Sequence, residues 1–285
     1  MYEQFYNLQH DPFRLSPSNR PAFGHESFNH AKTYMLFALR RGEGVVLVTG
    51  RPGTGKTALL REFINAIKGD PVVTADLVST QLQAEDLIRM IAFSFGIEKL
   101  TGDEYAILNE LELLLAGMHN FGRHPLLVID EAQNLEIRSL RKLERLIGLR
   151  WEDRPLLQIF LIGRENLHEK LLGHKLNGLY QQVNAVICLE PLTLEQTAPY
   201  VMHRLRQVGW RDNPRFNDDI YPVIFNHSHG VPRLINHICS QLMLLGMIEN
   251  RHQLGLSEVN RVILEMTGDR TLPSPLMPGR DFTTP

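Results

Sequence analysis

The sequence predicts an α/β fold: a five-stranded parallel sheet flanked by helices, then a segment that is helical throughout. Three observations point there. Short apolar, β-branched runs alternate with helical periodicities through the first two thirds of the chain. After Pro191 the strand-like runs stop. A glycine-rich loop joins the first apolar run to the helix that follows it.

Each element has its own reason. Residues 1–24 carry Tyr2, Phe5, Tyr6, Pro12, Phe13, Pro17, Pro21 and Phe23, too many aromatics for a disordered arm, and predict an ordered irregular segment laid on the body. Phe28, Ala31, Met35, Phe37, Ala38 and Leu39 give residues 26–41 the apolar face of a helix. VVLVT at 45–49 is a β-branched run with the look of a fully buried strand. A helix is expected over 56–67, a strand over 71–77 (PVVTADL), helices over 84–95 and 103–121, and a second buried strand over 125–130 (PLLVID). Residues 135–149 read as helix, 156–162 (LLQIFLI) as strand and 167–176 as helix; AVICLEPL at 185–192 supplies the fifth strand and its exit. Helices at 194–208, 218–227, 232–248 and 257–266 follow, with no strand between them. The expected division is an arm and first helix (1–42), a sheet core (43–192), a helical domain (193–268) and a proline-rich disordered tail (269–285).

Composition narrows the class. With 43% apolar and 22% charged residues the chain is ordinary for a globular protein. A net charge of −2 provides no global attraction to nucleic acid or anionic lipid. The longest apolar runs are strand-sized, far short of the ~20 residues of a membrane helix. MYEQFYNLQHDPF lacks the basic start and apolar run of a signal peptide, so the expectation is a cytoplasmic protein, at most peripheral to the inner membrane. Cys188 and Cys239 have neither metal nor redox spacing and are expected as buried, reduced thiols.

GRPGTGKT matches G-x-x-x-x-G-K-[ST] immediately after a buried strand and before a helix, the context a phosphate-binding P-loop requires. Gly50, Arg51, Pro52, Gly53, Thr54 and Gly55 would wrap phosphate with backbone amides, and Lys56, Thr57 and Ala58 open the helix whose N-terminus adds its dipole. Lys56 would reach the β- and γ-phosphates of ATP and the Thr57 hydroxyl would ligate Mg²⁺. LLVIDEAQNL ends an apolar strand on Asp130 and Glu131 at the carboxyl edge of the sheet, where open α/β folds bind ligands. Asp130 would hold Mg²⁺ and Glu131 would orient the attacking water. The plainer alternative for these carboxylates, an acidic cap on the next helix, loses ground beside a complete P-loop.

At these residues the chain resembles a known family. MYEQFYNLQHDPF, GRPGTGKT, STQLQAEDLIRMI, IDEAQNL, HRLRQVGW and GVPRLIN look like the AAA+ ATPases of the ExeA/GspA type. Within these the chain is most similar to the stand-alone ATPase found with exosortase (PEP-CTERM) and exopolysaccharide systems. The resemblance covers residues 1–268 in order. It implies an AAA+ core with a C-terminal helical lid, nucleotide between them, ATP-dependent homo-oligomer assembly, and docking on membrane-associated export or polysaccharide machinery. It places Arg233, in GVPRLIN, as the arginine that reaches the γ-phosphate from the lid; an ordinary surface charge near a helix start is the alternative.

Two departures stand out. Where the family reads LIGQPEL this chain has LIGRENL, which puts Arg164 near the phosphate-sensing end of the fourth strand. Where the family reads QLRQRI, with an arginine suspected of acting on a neighbour's ATP, this chain reads GLYQQVN and has Gln182. Loss of such an arginine can cost ~10³ or more in turnover. Either Arg164 or Arg204 substitutes for it, or the protein is a slow switch. Arg138, Arg141, Lys142, Arg145, Arg150 and Arg154 fit a nucleic-acid groove or, more simply, the wet side of an amphipathic helix packed through Leu140, Leu143, Leu146 and Leu149. His227 and His229 have no sensibly spaced third ligand and read as surface histidines. Tyr2, Phe5, Tyr6 and Phe13 pack the arm near the adenine side, as the resemblance suggests, or serve plain core packing. A DNA-linked AAA+ regulator of the transposition type is the alternative function.

Overall fold

Alternation along the central strands decides the architecture. The computed structural model describes residues 1–14, 21–42, 44–79, 84–152 and 154–268. The chain opens with one helical turn, α1 (Tyr2–Phe5), and continues into α2 (Glu26–Arg41), which stops where Gly42 turns left-handed and its N–H bonds the Leu39 carbonyl. Then come β1 (Val45–Thr49), α3 (Lys56–Ala66), β2 (Val72–Val78), α4 (Leu87–Ser94), α5 (Glu104–Asn120) and β3 (His124–Asp130). Asp103 caps α5 by accepting the Ala106 N–H at 2.9 Å. The chain proceeds through α6 (Ile137–Ile147), a two-residue hairpin of β4 (Arg150–Trp151) and β5 (Arg154–Pro155), β6 (Gln158–Ile162), α7 (Asn166–Leu172), α8 (Asn177–Gln181) and β7 (Val183–Cys188).

Five of these strands form one sheet in the order β2-β3-β6-β1-β7, with every pairing parallel. Val45, Leu47, Leu127, Ile129, Ile159 and Leu161 point to one face, where α4 to α7 bury them. Val46, Val48, Leu126, Val128, Phe160 and Ile162 point to the other, under α2 and α3. Period-two alternation with both sets buried is the mark of a sheet covered on both sides. On α6, Leu140, Leu143 and Leu146 are buried while Arg138, Arg141 and Arg145 face solvent, as an amphipathic helix requires.

Contacts divide the chain into two compact units. The sheet unit runs to Gln196 and includes His229–Arg233; the other holds Met1–Arg14, Thr197–Ser228 and the described chain from Leu234. In the second unit lie α1 and the helices α9 (Leu194–Arg206, from Thr197 on), α10 (Ile220–Ser228), α11 (Pro232–Ile248, from Leu234 on) and α12 (Leu256–Thr267). They are not free of strands, as the sequence suggested. A short parallel ladder joins β8 (Arg215–Phe216) to β9 (Gln253–Leu254). Two-residue strands carry no periodicity, which is why pattern reading passes over them.

The N-terminal arm is built into this helical unit. Tyr2, Tyr6 and Phe13 are buried. The Tyr2 hydroxyl donates to Asp11 Oδ1 at 2.5 Å, and that of Tyr6 donates to the Arg251 carbonyl at 3.1 Å. Phe5 stacks on His252. Arg204 donates from Nε to the Pro12 carbonyl (2.7 Å) and from Nη2 to the Arg14 carbonyl (3.0 Å). Tyr2, Tyr6 and Phe13 thus pack into the core of their own unit, and the arm holds one helical turn where an irregular segment was expected.

Two further expectations change. The fifth strand begins at Val183 and ends at Cys188, because residues 177–181 form α8 just before it. Strand β7 lies at the sheet edge, so alternate side chains face outward, and Cys188 is exposed rather than buried; Cys239 is buried, and both are free thiols. Among the described residues no helix is long and apolar enough to cross a membrane. The expected disordered tail, and Thr80 to Gln83 of the STQLQAEDL motif, lie outside the described residues.

Candidate active site

Because the strands are parallel, their carboxyl ends share one edge, and the P-loop leaves β1 there. The loop turns on glycines. Gly53 has φ +89°, and an added Cβ would lie 2.7 Å from Arg233 Cβ, so only glycine fits the close approach. The Arg233 N–H donates to the Gly53 carbonyl at 3.2 Å, which seats residues 231–233 against the loop. The Thr54 hydroxyl closes the turn on the Arg51 carbonyl (2.9 Å), and Gly55, also left-handed, leads into α3 at Lys56. Arg51 is within 3.9 Å of Glu165, so the loop also meets the segment after β6. Pro52 is exposed, while Ala58 packs on the core face shared with α2.

Lys56 is 7% exposed, and its Nζ donates to the Gly50 and Arg51 carbonyls at 2.8 and 2.9 Å. Burial pushes its ammonium below the usual lysine range; Glu131 and Asp130 pull it back up, and the Arg164 and Arg233 guanidiniums push it down again. Lys56 thus lies within electrostatic reach of two carboxylates, Asp130 and Glu131, and of two guanidiniums, Arg164 and Arg233. That is the electrostatics of a polyphosphate site.

The carboxylates are arranged just as pointedly. Asp130 is 9% exposed; its Oδ2 accepts the Thr57 hydroxyl (3.1 Å) and its Oδ1 accepts the Glu131 N–H (2.8 Å). Among the described residues no lysine, arginine or histidine nitrogen lies within 4.0 Å of it. A buried carboxylate with no cation in ion-pair reach, next to a hydroxyl oxygen, suits a hard divalent ion with oxygen ligands. Thr57 and Asp130 are thus fit to hold Mg²⁺.

Glu131 follows in a left-handed conformation, φ +55°, uncommon for a residue with a side chain. Ser79, just past β2, holds it by donating to its carbonyl at 2.6 Å. Gln133 donates from Nε2 to Glu131 Oε2 at 2.6 Å, and Gln133 Oε1 accepts the Arg164 N–H at 3.0 Å. Arg164 itself is exposed on the loop after β6.

The structure thus brings Lys56, Thr57, Asp130, Glu131, Arg164 and Arg233 to one edge of the sheet unit. Arg204 belongs to the other unit, where its guanidinium holds arm carbonyls. Gln182, where the resemblance places an arginine, is an exposed residue that ends α8 just before β7. Sequence reasoning missed Ser79, Gln133 and the Arg51–Glu165 pair. The DEAQ string carried the signal for Gln133, two positions beyond Glu131 in a tight turn.

Residues 39–171 match the family model described as AAA domain. General secretion pathway protein A of Aeromonas hydrophila is 30% identical over 272 residues, covering 95% of this chain and 49% of that protein. The chain therefore spans about half the length of that curated relative. Among solved structures, Drosophila ORC bound to DNA matches with a TM-score of 0.71 at 15% identity, covering 94% of this chain and 66% of that one. The Aeropyrum pernix ORC2 protein in ADPNP–ADP complexes gives 0.68 at 17% identity, covering 90% and 72%. Thermotoga maritima RuvB gives 0.58 at 18% identity, covering 87% and 72%. At such identities the likeness is one of fold, and the fold is that of the P-loop AAA+ ATPases.

Proposed function

We propose that this chain is a Mg²⁺-dependent AAA+ ATPase that powers or regulates assembly of a cell-envelope secretion or exopolysaccharide system of the exosortase-associated kind. The observation that carries the enzymatic part is the Thr57–Asp130 contact beside a buried Lys56. The 30% identity to general secretion pathway protein A supports the envelope role.

Each residue's part follows from its surroundings. Lys56 exchanges the Gly50 and Arg51 carbonyls for β- and γ-phosphate oxygens, which relieves a buried ammonium of its desolvation. Mg²⁺, once held by Thr57 and Asp130, supplies charge neutralisation to the phosphates. Glu131 orients the attacking water, and Arg233 and Arg164 face the charge that develops on the γ-phosphate. Arg164, whose loop is hydrogen-bonded to Gln133 beside Glu131, serves as the arginine in cis, the part left open by Gln182.

The protein works as a homo-oligomer docked on membrane-associated export or polysaccharide machinery. A DNA-linked regulator is the second reading, favoured only by the solvent-facing Arg138, Arg141 and Arg145 of α6. Hydrolysis per subunit across a protein concentration series, for wild type and Arg164→Ala, tests the enzymatic part. A flat profile lost in Arg164→Ala supports the cis arginine; a rate that climbs steeply with concentration moves that charge to a neighbour. Mg-ATP-dependent sedimentation with native inner membranes tests the envelope role. Binding instead to duplex DNA, with a steep salt dependence, supports the second reading.

A further inference from the structure

We propose that Gln133 is a positioning residue that ties the aim of Glu131 to the loop carrying Arg164, so that one side-chain amide couples phosphate sensing to water activation. The proposal rests on the ATPase reading above and deepens it.

The amide is held on both sides. Its N–H₂ donates to Glu131 Oε2 at 2.6 Å and its carbonyl oxygen accepts the Arg164 N–H at 3.0 Å. This pairing fixes which end is which, since a carboxylate can only accept and a backbone N–H can only donate. The main chain at Gln133 is pinned as well: its carbonyl accepts Lys170 Nζ at 3.1 Å. Gly163, immediately before Arg164, makes room for the contact, because a Cβ there would lie 2.7 Å from Gln133 Oε1. A residue of the wrong chemistry cannot replace the amide. Glutamate would set two carboxylates against each other, and a hydrocarbon would leave both partners unpaired.

The consequence for Glu131 is geometric. One carboxylate oxygen is engaged by Gln133, and among the described residues no hydrogen bond engages the other, Oε1. The side chain is therefore held from one oxygen, and the other carries no protein donor among the described residues. Its backbone, left-handed and anchored by Ser79 and Asp130, has little freedom to compensate. If the Arg164 loop moves when phosphate arrives or leaves, the amide moves with it and Glu131 re-aims. Misplacement of about 1 Å is enough to cost a large share of a rate.

The test is a set of three variants, Gln133→Ala, Gln133→Glu and Gly163→Ala, each measured for ATP affinity and kcat. Gly163 has no left-handed φ, so its backbone admits alanine; the methyl would meet Gln133 Oε1 at 2.7 Å and also Leu167 Cδ2 at 2.8 Å, so a melting curve of this variant checks that its loss comes from the amide and not from the core. Gln133→Ala should lower kcat by about tenfold or more with ATP affinity nearly unchanged, and Gln133→Glu should lower it further. The Gly163→Ala loss should resemble that of Gln133→Ala, and the double variant should be no worse than the worse single one. Unchanged kcat in Gln133→Ala, or losses that multiply in the double variant, would overturn the proposal. A readout without turnover separates it from the ATPase reading: in nucleotide-free protein, the Gln133 side-chain ¹⁵N–¹H signal should shift in Glu131→Gln. An unmoved signal overturns the coupling even in an active enzyme. A shifted signal in a protein with no ATPase activity would remove the reading beneath it and leave the contact standing.

Discussion

Lys56 and Arg204 both hold main-chain carbonyl oxygens, one in the P-loop and the other at the N-terminal arm, yet they stand in opposite surroundings. The carbonyls on Lys56 belong to a loop turned by Gly53 and Gly55 in left-handed conformations, and its neighbours are two carboxylates and two arginines. Those on Arg204 belong to a segment anchored by buried Tyr2, Tyr6 and Phe13. On the function proposed above, the first arrangement is a placeholder that a phosphate displaces, and the second is a staple between the arm and its own unit. A cation on a carbonyl says little by itself. What surrounds it decides whether the contact is function or architecture.

The comparison predicts effects of different kind and size. Lys56→Ala should weaken ATP binding by roughly 100-fold or more and reduce hydrolysis to background, with thermal stability almost unchanged. Calorimetry and a melting curve on one sample would check both halves. Arg204→Ala should do the reverse: a loss of about 2 kcal/mol in denaturant unfolding, with ATP affinity intact. If Arg204→Ala instead abolished hydrolysis at full stability, the staple would be a catalytic arginine and the contrast would fail. Tyr6→Phe, which removes only the hydroxyl bonded to the Arg251 carbonyl, should cost about 1 kcal/mol in the same unfolding experiment.

Raising the pH should separate the two cations most gently. The charged ammonium is the form that binds phosphate, so ATP affinity falls as pH rises through the Lys56 pKa, which burial sets below the usual lysine range of about 10.4. Arginine stays charged throughout. An affinity flat well past the ordinary lysine range would show that Lys56 is not the group that meets phosphate.

Much of this was legible in the sequence because it repeats or because it is strict. The strands around Val46, Val128 and Phe160 announce themselves by apolar runs, and the P-loop by glycines whose spacing chance rarely supplies. The rest failed for physical reasons. The β4–β5 hairpin, the β8–β9 ladder and α8 are too short to show a period. Cys188 was read as buried because its neighbours are apolar, whereas the edge position of β7 turns it outward. Arg204, within HRLRQ, looks like one surface charge among several; its partners lie at Pro12 and Arg14, and no local pattern points there. Gln133 is the instructive miss at the site. A polar residue in a turn is ordinary, and only the fold brings Arg164 to its other side.

The central claim is that Glu131 activates water in a site that binds ATP without it. Steady-state hydrolysis and ATP affinity of wild type, Glu131→Gln and Lys56→Ala, measured side by side, test this most directly. The account predicts that Glu131→Gln keeps wild-type affinity and loses turnover, while Lys56→Ala loses both. Turnover in Glu131→Gln equal to wild type, or wild-type turnover no higher than that of Lys56→Ala, would contradict it.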